Sequence, residues 1–430
     1  MQKTKKSPMW WIPTLYLAEG LPYIAVNTLS TILYKNMGMS NAELAFYTGW
    51  LYLPWVIKPF WSPFVDIIKT KRWWTVYTQL LMGIAFAALA FVLPLDNYLL
   101  FSLAIFWLIG FLSATHDIAA DGFYMLALDS SDQSLYVGVR SAFYRLATIL
   151  GQGGIVMAAG YLEATTGDIP LAWAITFATM SVLFLLVTFY HIRMLPKPAA
   201  DRSSVEEGAK TNVLKEFFGT FYSFFKKRGV WVAVLFILLY RFPEAQLVKM
   251  INPFFLDPVD AGGLGMNTTQ VGLVYGTIGI IGLTVGGILG GFIVSRIGLK
   301  RSLWPMALSL TLPCLVFCWM SMAQPDPNHL LDMILINGAV FIEQFGYGVG
   351  FTSFMLYMMY FAEGPSKTSH YAICTAFMAL GMMLPGMFAG WIQQQLGYVN
   401  FFWWIMLCCG VTLAVTALIK VDPSFGVKQK

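Results

Sequence analysis

Long apolar stretches separated by short polar connections dominate the chain. Twelve stretches each hold about 18 to 25 mainly apolar residues, the length that a helix needs to cross the hydrocarbon core of a bilayer. The stretches are 11–33, 44–65, 74–94, 98–127, 139–162, 170–190, 230–256, 270–294, 302–322, 332–360, 370–394 and 398–420. A longer polar segment, 193–228, separates the first six from the last six, and its Lys, Glu and Ser content predicts a flexible or surface-helical linker. The pattern predicts an all-α membrane protein with six-helix bundles over 1–192 and 229–430.

The composition supports this interpretation and excludes a soluble domain. The 430 residues are 58% hydrophobic and 11% charged, whereas soluble domains carry about 25% charged residues. The net charge of +5 does not indicate nucleic-acid binding, because the basic residues lie mostly in short loops. An odd number of cysteines in apolar stretches favours small packing residues over a disulfide framework or a metal site. These cysteines are Cys314, Cys318, Cys374, Cys408 and Cys409.

Basic residues are distributed asymmetrically between alternate connections. If the N-terminus is cytoplasmic, the inner segments hold 21 Lys and Arg residues, and the outer loops hold only Lys35. Such an excess is the positive-inside signal of a multi-pass membrane protein. We therefore expect both termini on the cytoplasmic side.

The two halves of the chain repeat one another at a constant offset of 230 residues. Gly151 corresponds to Gly381, and the loop DIIKTKRWW at 66–74 corresponds to RIGLKRSLW at 296–304. Two parallel six-helix repeats joined by a long cytoplasmic loop are the architecture of the major facilitator superfamily. The loop at 66–74 resembles a degenerate form of the G-x-x-x-D-R-x-G-R-R signature of that superfamily. The retained positions of this cytoplasmic motif are Asp66, Lys71 and Arg72.

The fourth predicted helix carries three titratable groups, His116, Asp117 and Asp121. Such groups are costly inside a membrane and normally face a protein interior or a water-filled path. Asp121 and Arg145 each lie seven residues from the loop that joins their predicted helices, about 10 Å inside the cytoplasmic face. We expect these two residues to form a salt bridge. It is either a gate that opens and closes during transport or a static tie between helices.

Acidic residues also lie at mid-depth in the first, seventh and tenth predicted helices: Glu19, Glu244 and Glu343. In the superfamily these helices and the fourth line the transport cavity. A carboxylate that exchanges a proton in step with a substrate is a minimal coupling device. The alternative is that the acids permanently neutralise the bases Lys58, Arg241 and Lys249.

Aromatic and amide side chains inside the spans suit recognition of a sugar ring. The predicted substrate-binding residues are Tyr23, Tyr144, Arg241, Glu244, Glu343 and Gln344. The predicted coupling or gating residues are Glu19, Lys58, His116, Asp117, Asp121 and Arg145.

Several motifs along the chain match the patterns of a known family. The most specific is FLSATHDIAADGF at 111–123, which closely resembles F-x-S-A-T-Q-D-I-A-x-D-A-Y. LPWVIKPFWSPFVD at 53–66 is similar to P-Y-x-x-K-x-x-W-A-P-x-x-D. Further similar segments are LAEGLPY at 17–23, FYR at 143–145, LLYRFPEA at 238–245, EQFGYGVGF at 343–351 and KTSHYAICTAF at 367–377. Together these segments resemble the AmpG muropeptide permease family over nearly the whole chain.

The resemblance implies a proton-driven importer of the bacterial inner membrane that carries muropeptides or a related amino-sugar disaccharide. It also implies that Lys58, Asp117, Asp121, Arg145 and Glu343 occupy family positions. This chain departs from the family by having Glu19 where a neutral residue is common, His116 in place of Gln, and the pair Gly122–Phe123 in place of Ala-Tyr. His116 either titrates near neutral pH or only hydrogen-bonds across helices.

The departures leave other solutes open, namely another oligosaccharide or an acyl-CoA-like molecule. A membrane enzyme using His116, Asp117 and Asp121 is the main alternative class, but no second His and no HExxH spacing accompany them. A non-transporting sensor would need a signalling domain, and none is evident in the sequence. We therefore predict no enzymatic activity, no metal, no cofactor other than the proton gradient, no nucleic-acid partner, and a monomer in the bilayer.

Overall fold

The computed structural model describes residues 7–199, 201, 213–364 and 367–425 of the chain. Its described secondary structure is helical throughout, with α-helices and short 3₁₀ and π segments. Eight helical runs among the described residues are long and apolar enough to cross a membrane. They are Lys71–Val92, Tyr98–Ala127, Ile169–Met194, Val230–Leu256, Thr268–Ile297, Leu299–Ala323, Leu330–Ala362 and Ser369–Leu418.

The chain divides into two compact units, of which the first comprises 1–33 and 57–213 and the second comprises 34–56 and 214–430. The domain boundaries expected from the sequence stay a prediction. The helices up to the linker are α1 (Ile12–Ile24), α2 (Ser30–Asn36), α3 (Asn41–Trp50), α4 (Leu53–Ile68), α5 (Lys71–Val92), α6 (Tyr98–Ala127), α7 (Ser130–Ile149), α8 (Val156–Thr166) and α9 (Ile169–Met194).

The linker and the rest of the chain contribute nine further helices within the described residues. They are α10 (Val213–Phe225), α11 (Val230–Leu239), α12 (Phe242–Leu256), α13 (Thr268–Leu273), α14 (Ile280–Ile297), α15 (Leu299–Thr311), α16 (Leu315–Ala323), α17 (Leu330–Ala362) and α18 (Lys367–Leu418). The last of these is two helices joined at Gly397, whose positive φ of 70° breaks the helical geometry.

Three predicted spans, 11–33, 44–65 and 139–162, are not among the eight runs, and each of them is an interrupted helix. A π segment, Ala25–Leu29, joins α1 to α2, and another, Leu150–Ile155, joins α7 to α8. A turn at 51–52 separates α3 from α4. π segments often mark functional positions in helices. Hydropathy detects these spans, but it cannot locate the local change in hydrogen bonding.

Close helix packing in the second unit depends on glycine. A Cβ atom at Gly282 of α14 would lie 2.7 Å from the Phe341 carbonyl oxygen of α17, and one at Gly286 would collide with the Phe345 carbonyl. Small residues allow two backbones to approach in a membrane, where burial of apolar surface provides little driving force. The GLTVGGILGG run that starts at Gly282 therefore packs α14 directly on the backbone of α17.

Within the second unit, a polar cluster around Asp257 ties the start of α3 to the end of α12. Asp257 forms an ion pair with Lys35, and it accepts hydrogen bonds from Tyr398 Oη at 2.6 Å and Asn41 Nδ2 at 3.0 Å. Asn41 also donates to Gln393 Oε1 at 2.9 Å. The only basic residue that the sequence assigned to the outer loops is thus neutralised by an acid at the end of α12.

The linker is held at both of its described ends. Asp201 accepts hydrogen bonds from the backbone N–H groups of Lys71, at 2.6 Å, and Arg72, at 3.0 Å, and so caps α5. At the other end, the Lys227 ammonium donates to the Glu363 carbonyl at 2.7 Å. Burial lowers the pKa of this Lys227 ammonium. The central part of the predicted linker, including 202–212, lies outside the described residues.

All five cysteines are buried and free of disulfide bonds.

Candidate functional site

The first unit contains a group of charged and polar side chains that we call the N-terminal polar cluster. Its members are Tyr16, Glu19, Lys58, His116, Asp117, Asp121 and Arg140. They come from α1, α4, α6 and α7, which bring together residues up to 124 positions apart along the chain.

The Asp121 carboxylate is the acceptor at one end of this cluster. Its Oδ1 lies 2.6 Å from Arg140 Nη2 and accepts a 3.3 Å hydrogen bond from the Tyr16 hydroxyl. The Arg140 guanidinium also lies over the Tyr16 ring, 4.5 Å from its centre, in a cation–π contact. The side chains of the ion pair are 31% and 39% exposed. Asp121 is therefore paired, in a partly open environment.

The prediction that Asp121 pairs with Arg145 is wrong. The prediction placed the start of the fifth span near residue 139, whereas α6 ends at Ala127 and α7 already begins at Ser130. The shorter connection brings Asp121 opposite an earlier part of α7 than the prediction assumed, and the ion pair that forms there is with Arg140. Arg145 lies more than a turn deeper along α7. A gating role for Arg145 itself stays a prediction.

A second part of the cluster surrounds His116. Lys58 Nζ lies 3.5 Å from Asp117 Oδ2. One imidazole nitrogen of His116 and one carboxylate oxygen each of Glu19 and Asp117 lie within 4.8 Å of one another. Side chains of these types could hold a cation, but the Lys58 ammonium already supplies a positive charge at Asp117.

Glu19 and His116 are both buried, with exposed fractions of 7% and 0%. His116 Nε2 is 2.9 Å from the side-chain amide of Gln79 on α5, so His116 does hydrogen-bond across helices. Within the part of the chain that the structure describes, Glu19 Oε2 and His116 Nδ1 are buried without a hydrogen-bond partner. Unsatisfied buried polar atoms are rare in folded proteins and often have a functional cause.

The second unit holds a separate C-terminal polar cluster where its first long helix breaks. Its members are Arg241, Glu244, Tyr275, Glu343, Gln344 and Tyr347. The break falls at 240–241, between α11 and α12, and Pro243 lies in the first turn of α12. Thr412 Oγ1 donates to the Tyr240 carbonyl at 2.9 Å, and this bond satisfies an acceptor that the break would otherwise expose.

Arg241 is held by a two-pronged ion pair. Its Nε and Nη2 donate to the Glu244 carboxylate at 3.1 and 2.9 Å, and Nη2 also donates to the Tyr347 hydroxyl at 2.6 Å. The guanidinium lies 4.8 Å from the centre of the Phe351 ring. Both charged side chains are at most 9% exposed. The geometry neutralises Arg241 and presents aromatic faces next to it.

Glu343 and Gln344 lie next to each other on α17 and are both buried. Gln344 Nε2 donates to Glu343 Oε2 at 2.9 Å and is 3.5 Å from the Tyr275 hydroxyl. These residues provide hydrogen-bond donors and acceptors of the kind that recognise sugar hydroxyl and amide groups.

Lys249 on α12 was not among the predicted site residues. It is half-buried, and its Cγ lies 3.9 Å from the position of a Cβ at Gly386 on α18. Among the described residues its ammonium forms no ion pair or hydrogen bond. A lysine in a membrane-spanning helix normally has a partner.

The predicted substrate-binding residues Tyr23 and Tyr144 lie on α1 and α7. Tyr144 packs against Gly20, and Tyr23 is half-buried, with its backbone carbonyl accepting a 2.9 Å bond from Asn27 Nδ2. A role in substrate binding for Tyr23 and Tyr144 stays a prediction.

The cytoplasmic motif is a structural junction. The Arg72 guanidinium donates to the carbonyls of Leu195, at 3.3 Å, and Ile192, at 2.5 Å, at the end of α9. The stem of Lys71 packs on Gly122, where a Cβ would lie 2.9 Å from Lys71 Cε. The Gly that departs from the family pattern therefore makes room for this lysine. The side chain of Asp66 lies outside the described residues.

The sequence model of the Major Facilitator Superfamily matches residues 14–372. The chain belongs to this superfamily. It is a multi-pass membrane transporter, which confirms the predicted class and its localisation to the bacterial inner membrane.

Similar proteins confirm the resemblance to AmpG permeases. The chain is 24% identical over 399 residues to a "Putative transporter AmpG 4" of Rickettsia conorii (strain ATCC VR-613 / Malish 7), covering 90% of each chain. It is 25% identical over 431 residues to an "Anhydromuropeptide permease" of Escherichia coli (strain K12), covering 96% of this chain and 81% of the relative.

Solved structures share the fold at low sequence identity. A D-xylose–proton symporter aligns with a TM-score of 0.70 and 15% identity, over 98% of this chain and 99% of the symporter. The nucleoside transporter NupG aligns with a TM-score of 0.70 and 14% identity, over 96% and 99% of the two chains. At this identity the likeness establishes the major facilitator fold and nothing about the solute.

Proposed function

We propose that this transporter imports a muropeptide or a related amino-sugar disaccharide across the inner membrane by alternating access, driven by the proton gradient. The observation that carries the proposal is the similarity over nearly the whole chain to an anhydromuropeptide permease. The proposal includes twelve spans with both termini in the cytoplasm, a monomer as the working unit, and no enzymatic reaction.

Lys249 and the C-terminal polar cluster together support a solute with both carboxylate and sugar groups. Muramic acid carries a carboxylate, and Lys249 is a half-buried cation with no partner among the described side chains. Arg241 is already neutralised by Glu244, so Lys249 is the better candidate for the solute carboxylate. Glu343 and Gln344 supply hydrogen-bonding groups for the sugar.

The N-terminal polar cluster supports coupling to protons. A carboxylate that releases and takes up a proton in a buried site can link the gradient to a conformational change. Asp117 and Asp121 each have a basic partner, Lys58 and Arg140. In the proposed mechanism the Asp121–Arg140 pair acts as the gate that the sequence assigned to Asp121.

Uptake into proteoliposomes tests the proposal. Radiolabelled N-acetylglucosaminyl-anhydro-N-acetylmuramic acid should accumulate when the outside is acidic, and collapse of the proton gradient should stop accumulation. Diacetylchitobiose, a neutral disaccharide, and an acyl-CoA serve as the competing solutes. Accumulation of either competitor in preference to the muropeptide disaccharide would replace the proposed substrate class.

A further inference from the structure

Four residues of the first unit form a hydrogen-bonded row that no motif of the sequence indicates. Thr14 Oγ1 is 2.9 Å from His191 Nε2, His191 Nδ1 is 2.9 Å from Gln79 Oε1, and Gln79 Nε2 is 2.9 Å from His116 Nε2. We call Thr14, His191, Gln79 and His116 the histidine chain. It joins α1, α9, α5 and α6, and its glutamine and both histidines are fully buried.

The histidine chain ends at His116, and Glu19 lies next to it. Gln79 already contacts His116 Nε2, so Nδ1 is the nitrogen left for another group. Nδ1 of His116 and Oε2 of Glu19 are both buried and have no hydrogen-bond partner among the described residues. An imidazole nitrogen and a Glu19 oxygen lie within 4.8 Å of each other.

With the Gln79 amide as placed, every donor in the histidine chain points towards Glu19. Thr14 donates to His191 Nε2, which leaves the proton of that ring on Nδ1, the donor to Gln79. The amide nitrogen then donates to His116 Nε2, so the proton of His116 is on Nδ1. This N–H group is the partner that an ionised Glu19 carboxylate requires.

Reversal of the Gln79 amide reverses all of these donors and acceptors without moving any other heavy atom. His116 then carries its proton on Nε2, and its Nδ1 accepts a hydrogen bond from a protonated Glu19. At the far end, Thr14 accepts from the second imidazole and donates to the Trp11 carbonyl, which lies 3.2 Å away. The reversed chain holds one more proton in total, taken from water and placed on the Glu19 carboxylate.

We propose that Glu19 and His116 form a proton-binding pair, and that Thr14, Gln79 and His191 are positioning residues whose hydrogen bonds reverse when Glu19 changes its protonation state. The inference rests on the proposed function, since it names the site that couples transport to protons. It gives one role to Glu19 and His116, the two charged or titratable departures from the family pattern.

Neighbouring charges single out Glu19 as the exchanging group. Two acids of the cluster are balanced at short range, Asp117 by Lys58 at 3.5 Å and Asp121 by Arg140 at 2.6 Å. Glu19 has no basic side chain within salt-bridge distance among the described residues. The titratable and charged groups that act on Glu19 or His116 are Tyr16, Lys58, Asp117, Asp121, Arg140 and His191.

The first test replaces Glu19 with glutamine, which retains the shape of the side chain and cannot ionise. Two rates are measured in proteoliposomes with the labelled muropeptide disaccharide: accumulation driven by a pH gradient, and solute exchange at equal pH. We expect the ratio of accumulation to exchange to fall at least tenfold in Glu19→Gln. An undiminished ratio, or accumulation driven by sodium or a divalent cation in place of protons, overturns the inference.

The outcomes of this experiment separate the two proposals. If the parent protein does not exchange the disaccharide, the proposed substrate fails. Proton binding is then measured without solute, as pH-induced loss of the carboxylic-acid C=O band in infrared difference spectra of the purified protein. We expect a band that is absent from Glu19→Gln. If the parent protein and Glu19→Gln give the same band, the proposal that Glu19 and His116 form a proton-binding pair is refuted.

The second test addresses the positioning residues through the matched variants Thr14→Val and Thr14→Ser. In the ionised state the chain ends on a charged acceptor, and hydrogen bonds to charges are stronger than neutral ones. Loss of the Thr14 hydroxyl should therefore favour the protonated state and move the pH profile of accumulation upwards, by about 0.5 to 1 pH unit. Serine retains the hydroxyl and should restore the parent profile.

A structural effect of Thr14 would not reproduce this result. In the Glu19→Gln background, Thr14→Val should leave the pH profile of exchange unchanged, because the titrating group is absent. Equal profiles for the valine and serine variants, or the same shift in the Glu19→Gln background, would rule out the reversible chain.

Discussion

Replacement of Glu244 by glutamine leaves the Arg241 guanidinium buried beside a neutral amide. Removal of one partner from a buried ion pair costs about 3–5 kcal/mol, because the other charge stays desolvated. No discount for solvent applies, since the two side chains are only 9% and 5% exposed. The Tyr347 hydroxyl, 2.6 Å from Nη2, still accepts a hydrogen bond and offsets about 1 kcal/mol. We therefore expect Glu244→Gln to destabilise the second unit by about 2–4 kcal/mol.

The five cysteines allow the stability of the second unit to be measured separately. All are buried, and all follow residue 313, so a thiol-reactive fluorophore reports the unfolding of the second unit. A loss of 2–4 kcal/mol corresponds to a fall in the unfolding temperature of roughly 5–15 °C in detergent. Asp121→Asn, in the first unit, is the matched control and should change the thiol signal little.

The double variant Arg241→Gln/Glu244→Gln decides whether the buried charge is the cause. It removes both charges, so at least half of the lost unfolding temperature should return. If the double variant is as unstable as Glu244→Gln, the destabilisation comes from lost packing, and the electrostatic reasoning is refuted.

Three further substitutions test individual contacts. Arg140→Gln should slow muropeptide uptake, whereas Arg145→Gln leaves the Asp121–Arg140 ion pair intact. The charge swap Asp121→Arg/Arg140→Asp should restore uptake. If only a swap of Asp121 with Arg145 restored it, the pairing with Arg140 would be contradicted. Lys249→Met should raise the KM for the anionic disaccharide about tenfold, which corresponds to the loss of one charged hydrogen bond, and Lys249→Arg should have an intermediate effect. An equal increase in the KM for diacetylchitobiose, which has no carboxylate, would show that Lys249 does not bind the solute carboxylate. Asp257→Asn should lower the unfolding temperature of the second unit by about 2–8 °C, since the three partners of Asp257 lose an anionic acceptor. An unchanged thiol signal would show that the polar cluster around Asp257 contributes no stability.

Hydropathy made the membrane helices predictable, because each apolar span reflects the same physical requirement for length and backbone satisfaction. The depth of an individual residue in the membrane was harder to predict than the helix that carries it. The Asp121 partner was misassigned because the estimate depended on where the loop ends, and polar residues at the start of α7 looked like a loop. Polar helical turns at the end of a membrane span have no hydropathy signal that separates them from connections.

Contacts between distant segments were beyond the sequence for a different reason. The cap that Asp201 provides for α5 joins residues about 130 positions apart, and no periodicity specifies such a pair. Gln79 and His191 are each single polar residues in apolar helices, and a lone polar residue more often satisfies a neighbouring backbone group than a functional partner. Only the three-dimensional arrangement distinguishes these cases.

Glu19 and His116 illustrate how a departure from a family pattern gains meaning from structure. In the sequence the two residues lie on different predicted helices and were separate anomalies, either of which packing could explain. In the structure both residues have an unpartnered buried atom in the same site, and the histidine is hydrogen-bonded to Gln79, which in turn contacts His191. A buried carboxylate added alone would be costly, and so would a histidine added alone. Together they can share a proton, so we expect His116→Gln to be better tolerated in a Glu19→Gln background than in the parent, measured as the unfolding temperature of the first unit by near-ultraviolet circular dichroism. Equal losses in both backgrounds would mean that the two departures are independent.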